Sequence, residues 1–130
     1  LTIPASLKTT ISQVKHLKPG ATVGYGRKGR ITKPTTIATL AIGYADGFSR
    51  ALGNGQGFVS IHGHPAPVVG DVCMDMTMVD ITGIPAREGD EAVVFGSDPR
   101  IEEVARRSGT IPYEVLTSVS QRVKRVYYQE

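Results

Sequence analysis

The chain has one cysteine, no tryptophan and three phenylalanines in 130 residues, and no block of like charge. Each scarcity excludes something. With Cys73 alone no internal disulfide framework can form, which fits a reducing compartment and leads us to expect a cytoplasmic protein. No apolar run approaches the ~18 residues of a membrane span, so no membrane partner is expected. A net charge of +3 is small and scattered; it permits an anionic ligand such as phosphate without demanding nucleic acid. The chain opens on Leu1 with nothing that reads as a signal peptide, and the expectation is a piece cut from a longer polypeptide.

What is present points to β structure. Fifteen glycines and eight prolines favour short strands with frequent turns over a helical bundle, and 40% hydrophobic residues suffice for one domain with its own core. "TIPASLKTTISQVKHL" reads as one or two strands, "ATVGYG" as a short one after the Pro19-Gly20 turn, and "TIATLAIGYADG" as a buried strand ending in a glycine-bounded turn. The stretch from Gly57 to Ile81 predicts a hairpin through Gly63-His64, a loop at Asp71 and a further strand; "DEAVVFG" adds another. Then the period changes. Asp98 is expected as an N-cap with Pro99 at the first helical position, Ile101, Val104 and Ala105 as the apolar face, and Gly109 as the stop. A second short helix is expected from Pro112, and "RVKRVYY" as a closing strand. The sum is a mostly β, barrel- or sandwich-like domain with two short helices near its C-terminus.

Several candidate sites have a plain alternative. "GYGRKG" matches the dinucleotide pattern G-x-G-x-x-G, but β-branched residues and Pro34 follow where a phosphate-binding helix should run. Tyr25, between two glycines and ahead of Arg27, Lys28 and Arg30, is open to three readings: stacking on a base, filling a core or moving a proton. Base stacking would need further aromatics, and the chain supplies few. His62 and His64 could share one face of a strand, yet no further His or Cys cluster completes a metal site. Asp71, Asp75 and Asp80 have no calcium-loop spacing, so no metal is expected. Cys73 reads as a small buried hydrophobe, and Met74 and Met76 by default as core. Tyr113 stands at a helix start, where free amides favour an anion and a phenol can add a hydrogen bond to phosphate.

Four segments in one order, "VGYG", "AIGYADGFSR", "VVGDVCMDM" and "IPYEV", resemble the C-terminal domain of alanine racemase, nearly end to end. The resemblance implies residues 1–130 as the C-terminal β domain of a homodimeric enzyme that interconverts L- and D-alanine for cell-wall synthesis. An N-terminal barrel, absent from this chain, would carry the lysine that binds pyridoxal 5'-phosphate. Tyr25 would be the second catalytic acid/base, acting on the face opposite that lysine across the dimer. Racemisation takes a proton from one face of the α-carbon and returns one to the other, so two groups must flank it. Flanking glycines would let the backbone bring the phenol close to a flat cofactor. By the same resemblance Met74 contacts the substrate carboxylate through its backbone, Tyr44, Arg50 and Asp75 line the substrate channel, and Tyr113 hydrogen-bonds the cofactor phosphate. Asp71 departs from the pattern, standing where many members have arginine and reversing the charge at the channel mouth. The other reading, from a different class, is a non-catalytic β-barrel module that binds RNA or protein.

Overall fold

A computed structural model describes residues 6–20, 22–23, 29–30 and 32–119. Tyr25, the basic cluster at 27 and 28 and the expected closing strand at 122–128 lie outside the described residues.

The first strand, β1 (Leu7–Leu17), organises the rest. Its Leu7–Thr10 half pairs antiparallel with β8 (Glu91–Phe95), and its Ile11–Leu17 half with β4 (Thr35–Leu40). The register shifts between Leu7 and Lys8 and again between Ile11 and Gln13; such irregularities bend a strand, and here one strand serves two sheets. Between them in sequence, β2 (Thr22–Val23) and β3 (Gly29–Arg30) make a separate antiparallel pair that brackets position 25. Beyond β8 lie β5 (Phe58–Ile61) and β6 (His64–Pro67), and beyond β4 lies β7 (Thr77–Asp80). Among the described residues the strand order is β6-β5-β8-β1-β4-β7. A bridge between Val68 and Val79, with the Val69 N–H donating to the Met78 carbonyl at 2.8 Å, draws the two outer strands together. The result is a nearly closed barrel, one of the two forms, barrel or sandwich, that the order of elements predicts.

Its interior is filled by the inward side of each strand. Val59, Ile61, Ala66, Val79 and Ala92 have no exposed surface. The helices α1 (Ile101–Ser108) and α2 (Pro112–Thr117) cap this core with Ile101, Val104, Ala105 and Val115. Gly109 ends α1 at φ 75°, its N–H donating back to Ala105 and Arg106, and Pro112 opens α2, both as expected from local signals. Glu103 accepts from Arg106 at 2.6 Å and from Arg107 at 2.9 Å, the pairing that three- and four-residue spacing allows on a helix.

Four local expectations need correction. The hairpin turn is His62-Gly63, not Gly63-His64: both residues have positive φ (51° and 78°), the geometry whose twist matches a two-residue hairpin. His62 is therefore in the turn and His64 in β6, so the two do not share a strand face. The first helix starts at Ile101 with Arg100 as its N-cap, because Gly96 N–H donates to the Pro99 carbonyl at 2.8 Å and Pro99 is buried in a turn of its own. Cys73 is only half-buried and Met76 is 44% exposed in the loop before β7, where Met74, for which the resemblance sets the core reading aside, is 53% exposed.

Candidate active site

After β4 the chain turns twice. A 3₁₀ turn, Tyr44–Asp46, is followed by another, Arg50–Leu52, whose Ser49 cap accepts the Ala51 N–H at 3.2 Å. Phe48 and Leu52 anchor the pair, at 2% and 3% exposure; burying one such side chain contributes about 1.5–3 kcal/mol. That anchoring leaves Tyr44, 43% exposed, and Arg50 on the outside, with the guanidinium carbon 5.5 Å from the phenol ring centre. A cation over an aromatic face is attracted by its quadrupole, so Arg50 and Tyr44 form one rim.

The second wall is the loop between Val68 and β7. Cys73 N–H donates to the Met76 carbonyl at 3.0 Å, turning Met74 and Asp75 outward at its tip. Tyr44 N–H donates to the Cys73 carbonyl at 2.9 Å and Ala45 N–H to the Met74 carbonyl at 3.0 Å, so two segments about thirty residues apart run hand in hand. Only glycine allows this approach. A β-carbon on Gly43 would stand 2.3 Å from the Cys73 oxygen and 2.4 Å from the Met74 oxygen. The buried Thr77 hydroxyl, donating to the Ile42 carbonyl at 2.7 Å, adds a further tie at the root of both segments.

The third wall is α2. Gly47, at φ 108°, meets it as closely: a β-carbon there would lie 2.7 Å from the Ser118 oxygen and 2.8 Å from the Val119 α-carbon. Between the 44–52 segment and the two helices runs a cleft of about 260 Å³, lined among others by Tyr44, Phe48, Ser108, Glu114 and Ser118. Tyr113 does not line it but stands on the outer side of α2, 71% exposed. Together with Ile111, Met74, Met76 and Tyr44 it makes up the exposed large hydrophobic side chains among the described residues. All five sit on the motif segments, the placement expected of a surface that another surface covers.

Asp71 is held at the side of this loop. Asn54, at φ 54°, donates its side-chain amide to Asp71 Oδ1 at 2.9 Å and its backbone N–H to the Gly70 carbonyl at 2.7 Å. Asp71 is thus tied to the turn after Leu52. Among the described residues no group of His, Cys, Asp and Glu could hold a metal ion, and no helix is long and apolar enough to cross a membrane.

Comparison with known proteins decides the family. The profile of the alanine racemase C-terminal domain matches residues 5–127. The chain belongs to that family. Alanine racemase 1 of Clostridium acetobutylicum is 46% identical over 127 residues, covering 94% of this chain and 33% of the relative. The alanine racemase of Clostridium difficile 630 superposes with a TM-score of 0.88 at 45% identity, over 95% of this chain and 32% of that one. That of Bartonella henselae, a crystal structure with covalently bound pyridoxal phosphate, gives 0.90 at 37% identity, over 95% and 34%. The chain thus spans about a third of the length of the curated relatives it matches. Membership bears out the resemblance to the alanine racemase C-terminal domain. In this alanine racemase C-terminal domain the structure brings Tyr44, Arg50, Met74 and Asp75 to one rim and joins α2 to it through Gly47. Sequence reasoning missed Gly43, Asp46 and Gly47 as the parts that make this junction. Their signal was two glycines four apart around an acidic residue.

The described residues do not offer an anchor for pyridoxal phosphate. The described lysines are Lys8, Lys15, Lys18 and Lys33, and none lines the cleft, whereas the Tyr113 phenol is exposed.

Proposed function

We propose that the full-length chain is a pyridoxal-phosphate-dependent alanine racemase, homodimeric and cytoplasmic, that supplies D-alanine for peptidoglycan, with residues 1–130 as its C-terminal β domain behind an N-terminal barrel. The observation that carries this reading is the lock between Tyr44-Ala45 and Cys73-Met74, which assembles the exposed motif residues on one rim of a domain of this family. Pyridoxal phosphate, when bound, supplies an electron sink for the charge left at the substrate α-carbon. The chain's own residues do the rest. Tyr25, reaching across the dimer, gives and takes the α-proton on the face used by L-alanine. A phenol has a reference pKa of ~10, so it needs a partner network to act as a base near neutrality, and the barrel is the source of that network. Met74 binds the substrate carboxylate through its backbone; an N–H is the backbone group able to donate to it. Tyr44, Arg50 and Asp75 line the channel, the cation over the phenol drawing the anionic end of the amino acid inward. Tyr113 donates to the cofactor phosphate from the exposed side of α2.

Expression of the full-length chain with added pyridoxal phosphate, followed by polarimetry on L- and D-alanine, tests the reading. Turnover from either enantiomer to the racemate is expected of the full chain and none of residues 1–130 alone. Turnover by the isolated residues at the rate of the full chain, or none by the full chain, defeats it.

A further inference from the structure

We infer that Asp46 is a positioning residue for carboxylate binding at Met74, an assignment that rests on the racemase reading above. Asp46 is 7% exposed, its Oδ2 accepts the Gly43 N–H at 3.0 Å, and its own N–H donates to the Gly43 carbonyl at 3.0 Å. The carboxylate therefore closes the turn in which Tyr44 and Ala45 present their N–H groups. Those two donors hold the carbonyls of Cys73 and Met74. The Cys73 carbonyl and the Met74 N–H belong to one peptide unit, which is trans, so fixing the oxygen points the hydrogen in the opposite direction, away from the 43–46 turn. Among the described residues this N–H donates to none, and it sits at an exposed loop tip. A peptide gripped on its carbonyl side and open on its N–H side is a preorganised donor for an anion. Gly43 makes the grip close, and Asp46 sets its angle.

In the full-length chain, Asp46→Ala removes the acceptor for Gly43, while Asp46→Asn keeps a side-chain oxygen there. The expected result for D46A is a KM for alanine raised about tenfold, the size of effect when a hydrogen bond to a charged ligand is misaligned, with kcat little changed. Propionate, a carboxylate without the amine, should lose inhibition by the same factor and lose its thermal stabilisation of the protein. D46N should restore both. If D46A does not accumulate, D46E, which moves the charge by one methylene, carries the same readouts. Unchanged KM and propionate affinity in an active enzyme overturn the Asp46 assignment alone. A wild-type full-length chain without racemase activity overturns it together with the reading beneath it.

Discussion

Gly43 packs its α-carbon against the Met74 carbonyl so closely that a β-carbon would lie 2.4 Å from the oxygen. Its φ of −148° is open to any residue, so the constraint is contact and not backbone conformation. Gly43→Ala should therefore push the two segments apart and destabilise the full-length chain by about 1–3 kcal/mol, as overpacking does. Urea unfolding checks this. An unchanged midpoint would mean that the Tyr44-Cys73 junction yields without cost.

Tyr25→Phe removes one oxygen and should lower turnover by about 10²–10⁴-fold, with cofactor binding and fold intact. The barrel lysine would still serve the other face. Exchange of the α-proton of D-alanine with solvent deuterium should then exceed that of L-alanine, followed by NMR. Equal and near-wild-type exchange from both enantiomers would show that Tyr25 is not the second base.

Tyr113→Phe should weaken cofactor retention more than chemistry. A hydrogen bond to a charged group is worth ~1.5–3 kcal/mol, so the dissociation constant for pyridoxal phosphate should rise by roughly one to two orders of magnitude. Titration of the apo-enzyme measures the constant, and turnover at saturating cofactor isolates the chemistry. Unchanged affinity with collapsed saturated turnover would place Tyr113 at the reacting centre.

Asp90 makes acid stability a local question. Its carboxylate accepts from the His62 ring at 2.9 Å and from the Arg87 N–H at 3.0 Å, and these bonds, His62 first, hold its pKa below the ordinary 3.8. A carboxyl depressed by folding adds stability above its unfolded pKa and loses it as the pH falls through the folded one. The contribution is thus complete above roughly pH 4 and disappears below it. Thermal melts of wild type and Asp90→Asn on both sides of that window should differ more on the neutral side. A constant difference across the window would disconnect Asp90 from the acid limb.

Much of the fold is written locally. Gly109 closes α1 and Pro112 opens α2 where capping chemistry says they should, because a helix end is decided by groups within one turn of it. The apolar segment read as a buried strand is β4, with Ala38 and Leu40 in the main core and Ile37 in a second cluster; the strands expected after the Asp71 loop and at "DEAVVFG" are β7 and β8. Where the local rule depended on a choice between neighbours, it slipped. The hairpin moved by one residue because His62 tolerates positive φ, and α1 began two residues late because Pro99 is held in the preceding turn.

The site divides in the same way. Four motifs in order specify the family more tightly than any one alone, so the family was legible from residue order, and with it the candidate residues Tyr25, Tyr44, Arg50, Met74, Asp75 and Tyr113. What joins the described ones emerges only from long-range packing. That Ala45 meets Met74, that Gly43 and Gly47 clamp a shared turn to two distant segments, and that Asp71 is tied to Asn54 are contacts between residues 17 to 72 apart in the chain. No periodicity encodes such pairs. They arise when β1 turns from one sheet to the other and the barrel nearly closes, which brings β4, the loop before β7 and the end of α2 to one place.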